Sequence, residues 1–473
     1  MKRLSNFYRE NVAMLDKILR IDENFDILKK VMRIGDDELT MYYIDGFVKD
    51  SVMEKLMIYF LGLKGLGEPS DHAANDFLLS NLPYVEAEVS EELDNMVQMM
   101  MSGATLMLGS TFEDRGILID SRSYPARDTQ EPENDRVMRG ARDGFVETLI
   151  SNTALIRRRI RDTALTMSYV SVGKSTKTDI AICYIAGKAD RDYVEYLKKK
   201  ISEIDTGSLA LCHQSLAECL IKTRWYNPFP KIRNTERPDA AVAQLLEGSV
   251  IILCDNSPEA MILPTSIFDF MQETNDFYYP PLTGSYLRIV RYLVFWSTLV
   301  LTPVWYLFVK NPEIVPSWLI FTLPGSHAKI PIIVQLLLVE FFLDGLKLAS
   351  MNTPNMLANS LSIVGGLILG DFAVDVGWLT PEVILYMAYI SIATFTQTSY
   401  ELGYAFKFLR VIILILTAIF NVWGFAAGLI LALLLLCTNK TANRRRGYLY
   451  PLIPFNGKAL LSLFIRLKKA QKT

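Results

Sequence analysis

The sequence contains few of the side chains that build metal and redox sites. It has five cysteines and three histidines among 473 residues, and no two cysteines form a Cys-x-x-Cys pair. Because a structural zinc site needs four Cys or His ligands at characteristic spacings, the local spacing assembles no such site. We therefore expect no metal, no cofactor, and cysteines that remain reduced thiols in a domain facing the cytosol.

Catalytic motifs are also missing. The first 286 residues contain no G-x-S-x-G, no H-E-x-x-H and no Ser/His/Asp constellation. The stretch Gly173-Lys-Ser-Thr resembles the end of a phosphate-binding loop. That loop requires a glycine where this chain has Ser168, and it requires a helix where a strand is predicted. The sequence thus predicts a protein that is not an enzyme.

The N-terminus lacks a signal peptide, and the C-terminal tail lacks acidic residues. The N-terminus, MKRLSNFYRE, has no apolar signal-peptide core, which predicts that the region after it stays in the cytoplasm. The tail after Cys437 has nine Lys and Arg and no acidic residue. The formal net charge is only −2, so the chain as a whole offers no excess of positive charge for binding nucleic acid.

Apolar runs divide the chain into four regions. Residues 1–122 and 123–286 are charged and interrupted by loops, and they predict two α/β subdomains in the cytosol. Residues 287–438 are dominated by apolar runs and predict an all-α polytopic transmembrane domain of four to six helices. Residues 439–473 form the basic cytosolic tail.

Local patterns place elements within the α/β region. Helices are expected around residues 12–31, 51–63, 190–204 and 240–246. Strands are expected at residues 38–49, 104–108, 116–121, 165–172, 179–184, 249–254 and 260–263.

Arginines cluster between residues 125 and 162, among acidic residues. The candidates for subunit or domain contacts in this stretch are Arg139, Arg142, Arg157, Arg158 and Arg159. A row of arginines can bind phosphate or nucleic acid. The interleaved acids favour a salt-bridged face at a domain junction or subunit interface, and an exposed, solvated face is a third interpretation.

Ionisable residues interrupt the apolar run of residues 330–349. Glu340, Asp344 and Lys347 are spaced i, i+4, i+7, so a helix places them on one face. A charge at membrane depth costs about 2.5–3.5 kcal/mol on insertion scales, so it usually faces a protein interior or a water-filled path. We predict that these residues line or border an ion path. If they mark helix ends instead, they extend to the membrane surface.

The next apolar run, residues 357–376, carries a second acidic pair. Asp371 and Asp375 follow Gly366-x-x-x-Gly370, a spacing that lets helices approach closely. They are further candidates for the ion path. Because they lie near a helix end, Glu340 and Asp344 are the stronger candidates.

The remaining apolar runs predict further crossings at residues 292–309, 383–396 and 408–437. The last run is long enough for one tilted helix or for two short ones broken around Asn421-Val-Trp-Gly424, and Arg410 and Arg446 flank it with positive charge. Residues 314–323 are too short to span and predict a re-entrant or interfacial segment. With both flanks cytoplasmic by the positive-inside rule, the number of crossings is even, four or six. Residues 458–469 suit an interfacial helix or a basic stretch that sets topology.

Several stretches together resemble a known family. EPENDRVMRGARDGFVETL, GKSTKTDIAICYIAGKAD and NTPNMLANSLSIVGGLILGDFAVDVGWLTPEVI occur in this order. The set resembles the GerA-type spore germinant receptor A subunits of spore-forming Bacillota. The variants TQTSYELGYAFKFLR and FNVWGFAAG are most similar to its stage V sporulation protein AF branch.

The resemblance implies a location and a set of partners. It implies a multi-pass protein of the inner membrane of the spore, with both terminal regions cytoplasmic, that forms a homo-oligomer beside other germination membrane proteins. No nutrient ligand is expected to bind directly, and no catalytic residue transfers. Glu236, Arg237 and Asp239, with the Arg139–Arg142 motif, fit structural or subunit-contact roles.

Three functions remain open. The first is an oligomeric ion-channel subunit that releases cations during germination, because rings of carboxylates admit cations. The second is a non-conducting scaffold that docks on germinant receptor complexes and supports them. The third is a secondary transporter, suggested by segments broken by Pro and Gly, although no inverted repeat is visible.

Overall fold

The computed structural model describes residues 3–124, 141–209, 211–221, 224–273, 276, 278–325, 329–352, 366, 373–439 and 447–465. The chain forms two compact units. The first unit comprises Met1–Lys222 and Ile232–Pro264, and the second comprises Thr223–Lys231 and Thr265–Thr473.

The first α/β subdomain is built on an antiparallel sheet with the strand order β1-β2-β4-β5-β3. Its elements are α1 (Tyr8–Leu19), β1 (Ile27–Ile34), β2 (Asp37–Ile44), α2 (Asp50–Leu61), α3 (Ala73–Asn81), β3 (Ala87–Ser90), α4 (Leu93–Met101), β4 (Thr105–Gly109) and β5 (Gly116–Ile119). Strands β1 and β2 pair along their whole length. Gly35 in the two-residue turn between them has φ 65°, a conformation that costs glycine little.

One predicted helix of this subdomain is wrong in its second half. The pattern predicts a helix over residues 12–31, but α1 ends at Leu19 and residues 27–31 belong to β1. Arg20 takes a left-handed conformation with φ 51° and ends the helix. The β-branched Ile27 and Val31 then pair with β2, and this tertiary pairing outweighs the local helical pattern.

The second α/β subdomain repeats the plan with the strand order β6-β7-β9-β10-β8. Its elements are α5 (Leu149–Arg159), β6 (Leu165–Val172), β7 (Thr178–Ile185), α6 (Arg191–Ser202), α7 (His213–Leu220), β8 (Arg233–Thr235), α8 (Pro238–Leu246), β9 (Val250–Cys254) and β10 (Ala260–Leu263). Every residue of β9 and β10 is buried, and side chains of α5 and α8 share their core. The predicted α/β fold of this region is confirmed, and the structure shows that it contains two sheets.

The second unit is helical in its described part. Its helices of eight or more residues are α9 (Pro281–Lys310), α10 (Ile332–Asn352), α11 (Pro381–Phe395), α12 (Tyr400–Cys437) and α13 (Gly457–Phe464). Short 3-10 turns lie at Asp269–Met271, Pro312–Ile314 and Ser317–Thr322. Among the described residues, α9 and α12 are long and apolar enough to cross a membrane. Their length and composition are consistent with membrane association.

Helix α12 is in fact a tight hairpin of two helical arms, residues 400–420 and 422–437. Asn421 breaks the helix with φ 56° and ψ −131°. A Cβ on Gly424 would lie 1.9 Å from the Leu416 carbonyl oxygen, and one on Gly428 would lie 3.1 Å from Cα of Ile413. Residues 413 and 428 would be about 22 Å apart in a continuous helix, so the chain must reverse at Asn421. The break falls in the segment that the sequence indicates.

The C-terminal segment folds back onto the start of α9. The Phe464 and Tyr292 rings lie 4.9 Å apart, and Leu463 is buried. Nη1 of Arg288 donates a hydrogen bond to the Ser462 carbonyl oxygen at 2.9 Å. The apolar face of α13 therefore packs on protein at the end of α9 that carries Arg288.

Candidate functional site

Two helices of the second unit bring five charged side chains together. On α10, Glu340, Asp344 and Lys347 lie on one face because they are four and three residues apart. On the first arm of α12, Lys407 and Arg410 are three residues apart, and both pair with carboxylates of α10. We call these five residues the charge cluster.

Glu340 is the centre of the charge cluster. Its Oε1 atom lies 2.7 Å from Nη2 of Arg410 and 3.4 Å from Nζ of Lys407. Glu340 is only 9% exposed and Arg410 only 2%. Because a buried charge is very costly unless it is paired and hydrogen-bonded, each of the two side chains depends on the other for its burial.

Arg410 also connects a third helix. Its Nη1 atom donates to the Thr298 carbonyl oxygen of α9 at 2.9 Å. Its buried Nε atom has no hydrogen-bond partner among the described residues. A single guanidinium group therefore holds α9, α10 and α12 together, and its planar donors fix their relative positions.

Asp344 and Lys347 form the more open side of the charge cluster. Asp344 forms an ion pair with Lys407, and its side chain is 35% exposed. Lys347 forms no ion pair with a described residue. Its ammonium lies 5.2 Å from the ring centre of Phe395 and 5.7 Å from that of Tyr404, within cation–π range. With all groups ionised, three cations face two carboxylates, so the cluster has an excess positive charge.

The other ion-path candidates do not join the charge cluster in the described part of the chain. Asp371 and Gly370 lie outside the described residues. Asp375 ends a one-turn helix, Ala373–Asp375, where it is exposed and forms no ion pair with a described residue. A Cβ on Gly366 would meet no described atom within 4 Å, so no close helix approach is seen at that position.

Among the contact candidates, Arg157 lies at the boundary between the two α/β subdomains. Its Nε and Nη2 atoms donate to the two carboxylate oxygens of Asp26, each at 2.8 Å. Its Nη1 atom donates to the Leu165 carbonyl oxygen at 3.0 Å, and Arg157 is fully buried. Asp26 precedes β1 and Leu165 begins β6, so this side chain joins the two subdomains.

The neighbouring arginines make more exposed contacts. Arg158 lies 4.6 Å from the Tyr124 ring centre, which adds a second contact between the subdomains. Arg159 pairs with Asp143 at 2.5 Å. Arg142 is exposed, and Arg139 lies outside the described residues.

The Glu236–Asp239 motif folds back on the segment after residue 140. Arg237 is fully buried, and its Nη2 atom donates to Asp239 at 2.6 Å and to the Ala141 carbonyl oxygen at 3.2 Å. The Glu236 carbonyl oxygen accepts from the Phe145 N–H at 2.8 Å. The motif therefore fixes the entry to the second subdomain.

Three side chains align in a way that their sequence spacing does not suggest. Ser257 Oγ lies 2.9 Å from His213 Nδ1, and His213 Nε2 lies 2.9 Å from Glu259 Oε2. The order resembles a catalytic triad, but Ser257 is only 2% exposed, so substrate has no access to its hydroxyl. These contacts hold the start of α7 against the turn between β9 and β10.

The cationic half of the charge cluster is not predicted from the sequence, where Arg410 marks only a positively charged flank. A signal is nevertheless present. Lys407 and Arg410 are the only charged residues between Leu402 and Cys437, and their spacing of three places them on one helix face, as the spacing of four does for Glu340 and Asp344. Paired cations on one helix and paired carboxylates on another predict an ion-pair network between them.

These features define a class: a two-sheet α/β protein joined to an apolar helical unit with a buried charge network. The family model of the Bacillus/Clostridium GerA spore germination protein matches residues 14–473. The chain therefore belongs to the GerA family, and the resemblance recognised in the sequence is confirmed.

Two relatives from Bacillus subtilis agree with this assignment. Stage V sporulation protein AF of Bacillus subtilis (strain 168) is 37% identical over 94% of this chain and 90% of its own length. Spore germination protein KA of the same strain is 27% identical over 97% of this chain and 84% of its own length. A solved structure is also similar: the crystal structure of the N-terminal domain of the A subunit of the Bacillus megaterium spore germinant receptor GerK3. It shares 23% sequence identity with this chain and has a TM-score of 0.40. The match covers 55% of this chain and 96% of that one. These names denote sporulation and germination proteins, and none of them states an enzymatic activity.

Proposed function

We propose that this protein is a membrane subunit of a complex that releases ions during spore germination, and that the charge cluster borders the ion path. One observation carries the proposal: two apolar helices join through the buried network of Glu340, Lys407 and Arg410. Membership of the GerA family supports the setting in germination.

The energetic argument concerns the depth of the charges. Each ionised side chain near the middle of a spanning helix costs about 2.5–3.5 kcal/mol on insertion scales. A van der Waals contact between apolar residues would hold the same helices without that cost. Five such side chains in one place therefore support a role in handling charge rather than in packing alone.

The pairing suggests which state of the path is present. Glu340 and Asp344 are both neutralised by cations of α12. A carboxylate attracts a passing cation only when its own partner has moved away. The paired arrangement is therefore the resting, non-conducting state in this proposal. Separation of α10 from α12 opens the path and exposes the two carboxylates.

The same proposal includes location and partners. The protein lies in the inner membrane of the spore with its basic tail in the cytoplasm, as the positive-inside rule requires. Large apolar side chains of α10 such as Phe341 and Leu348 are exposed in the single chain. They give α10 a face for lipid, for further copies of the chain in a homo-oligomer, or for other germination membrane proteins.

A non-conducting scaffold is the second candidate. It is favoured by the same ion pairs, because Arg410 holds three helices together without needing any ion to pass. In that case the cluster serves helix packing, and the full chain reconstituted in vesicles carries no current.

Ion flux separates the two candidates. We would measure potassium efflux from spores, and conductance of the reconstituted full-length protein, for the wild type and for Glu340→Gln and Asp344→Asn. The channel proposal expects altered flux at normal protein level. Glu313→Gln is the matched control, because Glu313 is exposed after the end of α9 and forms no ion pair with a described residue. Flux equal to wild type in both cluster variants would remove them from the path.

A further inference from the structure

The C-terminal end of α9 is surrounded by exposed aromatic and aliphatic side chains. One group lies in the turns that follow α9, and the other lies at the tip of the α12 hairpin. Trp318 is 72% exposed, Phe321 81% and Trp423 83%. Ile314, Ile320 and Phe420 are exposed beside them in sequence. We call these six residues the aromatic rim.

The two parts of the aromatic rim are both fastened to α9. Nε1 of Trp305 donates to the Thr322 carbonyl oxygen at 2.9 Å, which holds the turn that carries Trp318 and Phe321. Asn311 and Asn421 exchange two amide hydrogen bonds of 2.6 and 2.8 Å. The rim is therefore a built platform and not a loose loop.

Lys310 completes the attachment. Its Nζ atom donates to the carbonyl oxygens of Ala418 at 2.8 Å and Thr417 at 3.2 Å. Because the first arm of α12 ends at the turn, these carbonyls lack the N–H groups that a longer helix would supply. The polar groups at this end thus bond to one another, and the large apolar side chains are left facing outward.

The dimensions of α9 identify what covers those side chains. Arg288 and Arg291 lie near its first end. From Arg291 to Lys310 the helix rises about 29 Å at 1.5 Å per residue, close to the ~30 Å thickness of a bilayer hydrocarbon core. Tryptophan is enriched at the two membrane–water interfaces, where its apolar ring and polar N–H are both accommodated.

We propose that the aromatic rim inserts into the boundary between headgroups and acyl chains of the leaflet opposite the basic tail, and anchors the α9 end and the hairpin tip at that depth. This inference rests on the proposed function only in requiring that α9 spans a bilayer. It assigns a lipid contact to the segment around residues 314–323, and it assigns the same contact to the turn of the α12 hairpin.

Tryptophan quenching by brominated lipids tests the depth. The full-length protein is reconstituted in phosphatidylcholine vesicles whose bromines sit either near the headgroup or near the acyl-chain end. Trp318→Phe and Trp423→Phe should each remove a large part of the intensity quenched by shallow bromines. Leu301 lies about midway between Arg291 and Lys310 and is partly exposed, so Leu301→Trp should instead add intensity quenched by deep bromines.

The outcomes are distinguishable. If the intensity quenched by shallow bromines is the same in Trp318→Phe and Trp423→Phe as in the wild type, the proposal is overturned. Quenching of these two rings by aqueous iodide would then place the rim in water. Protection from both quenchers would place the rim against a second protein. Absence of deep quenching in Leu301→Trp would count against the membrane-spanning role itself. Deep quenching in Leu301→Trp without shallow quenching at the rim refutes only the anchoring.

Discussion

Nη2 of Arg410 lies 2.7 Å from Oε1 of Glu340, and both side chains are almost completely buried between apolar helices. Removing one member of a buried pair leaves an uncompensated charge, whereas replacing both by apolar groups of similar size is often nearly neutral. This asymmetry gives the charge cluster a clear experimental signature.

Arg410→Met should destabilise the protein, by about 3–5 kcal/mol if the cost is typical of a broken buried pair. Lys407 remains 3.4 Å from Glu340 and offsets part of the loss. The double variant Glu340→Met/Arg410→Met should recover much of the stability. Unfolding of the full-length protein in detergent measures all three free energies. Equal stability of Arg410→Met and wild type would contradict the role assigned to the pair.

Lys347→Met should leave the stability of the protein almost unchanged, in contrast to Arg410→Met. The ammonium contacts aromatic faces and forms no ion pair with a described residue, so its removal leaves no carboxylate unpaired. The change also removes the excess positive charge of the cluster. We expect stability within about 1 kcal/mol of wild type. In the channel proposal, cation efflux should rise because one repulsive charge is gone. Asp344→Asn is the matched comparison. It removes a carboxylate from the proposed path, so cation efflux in this variant should fall.

Arg157→Met tests the junction between the α/β subdomains. It leaves the buried Asp26 carboxylate without its bidentate partner, so we expect a loss of about 3–5 kcal/mol. Arg159→Met is the control two residues away. Its pair with Asp143 is partly exposed, and we expect a loss of about 1 kcal/mol or less. Denaturant unfolding of the full-length variants, followed by proteolysis between the subdomains, compares them. Equal losses would mean that the buried pair has no special role.

Gly424→Val tests the hairpin. Its side chain would collide with the backbone of Leu416, which cannot move aside without separating the two arms. We expect low yield of folded protein and increased protease cleavage near residue 421. Gly345→Ala is the control, because a Cβ there meets no described atom and alanine favours a helix by up to about 1 kcal/mol over glycine. A folded, protease-resistant Gly424→Val protein would be incompatible with the hairpin.

The sequence predicts much of this architecture because its signals are local. β-branched residues mark β6, β7 and β9, a short apolar stretch marks β10, and longer apolar runs mark α9 and α12. The break at Asn421 is also foreseen as one of two possibilities, since Asn and Gly are the residues that tolerate such a backbone. What fails is the boundary at residues 19–27, where pairing between β1 and β2 decides the outcome.

The composition of the candidate site is harder to predict, because it depends on contacts between distant residues. Glu340 and Asp344 are conspicuous as acids within an apolar run. Their partners Lys407 and Arg410 come from a segment more than sixty residues later. The spacing within each helix marks its charged residues, but it does not give the packing that brings these two helices together. The same limit applies to Asp26 with Arg157, and to Ser257 with His213 and Glu259, since only the folded sheets bring those side chains together.

The α12 hairpin has a consequence for topology. Its two arms are antiparallel, so the chain leaves the hairpin on the side from which it entered. If the arms enter the bilayer as proposed, the hairpin adds an even number to the crossings, whether its arms cross fully or dip in and return. A reporter fused in the loop before Tyr400 and another placed after Cys437 should be labelled from the same face of the membrane. Straightening α12 into one helix would put the two reporters on opposite faces.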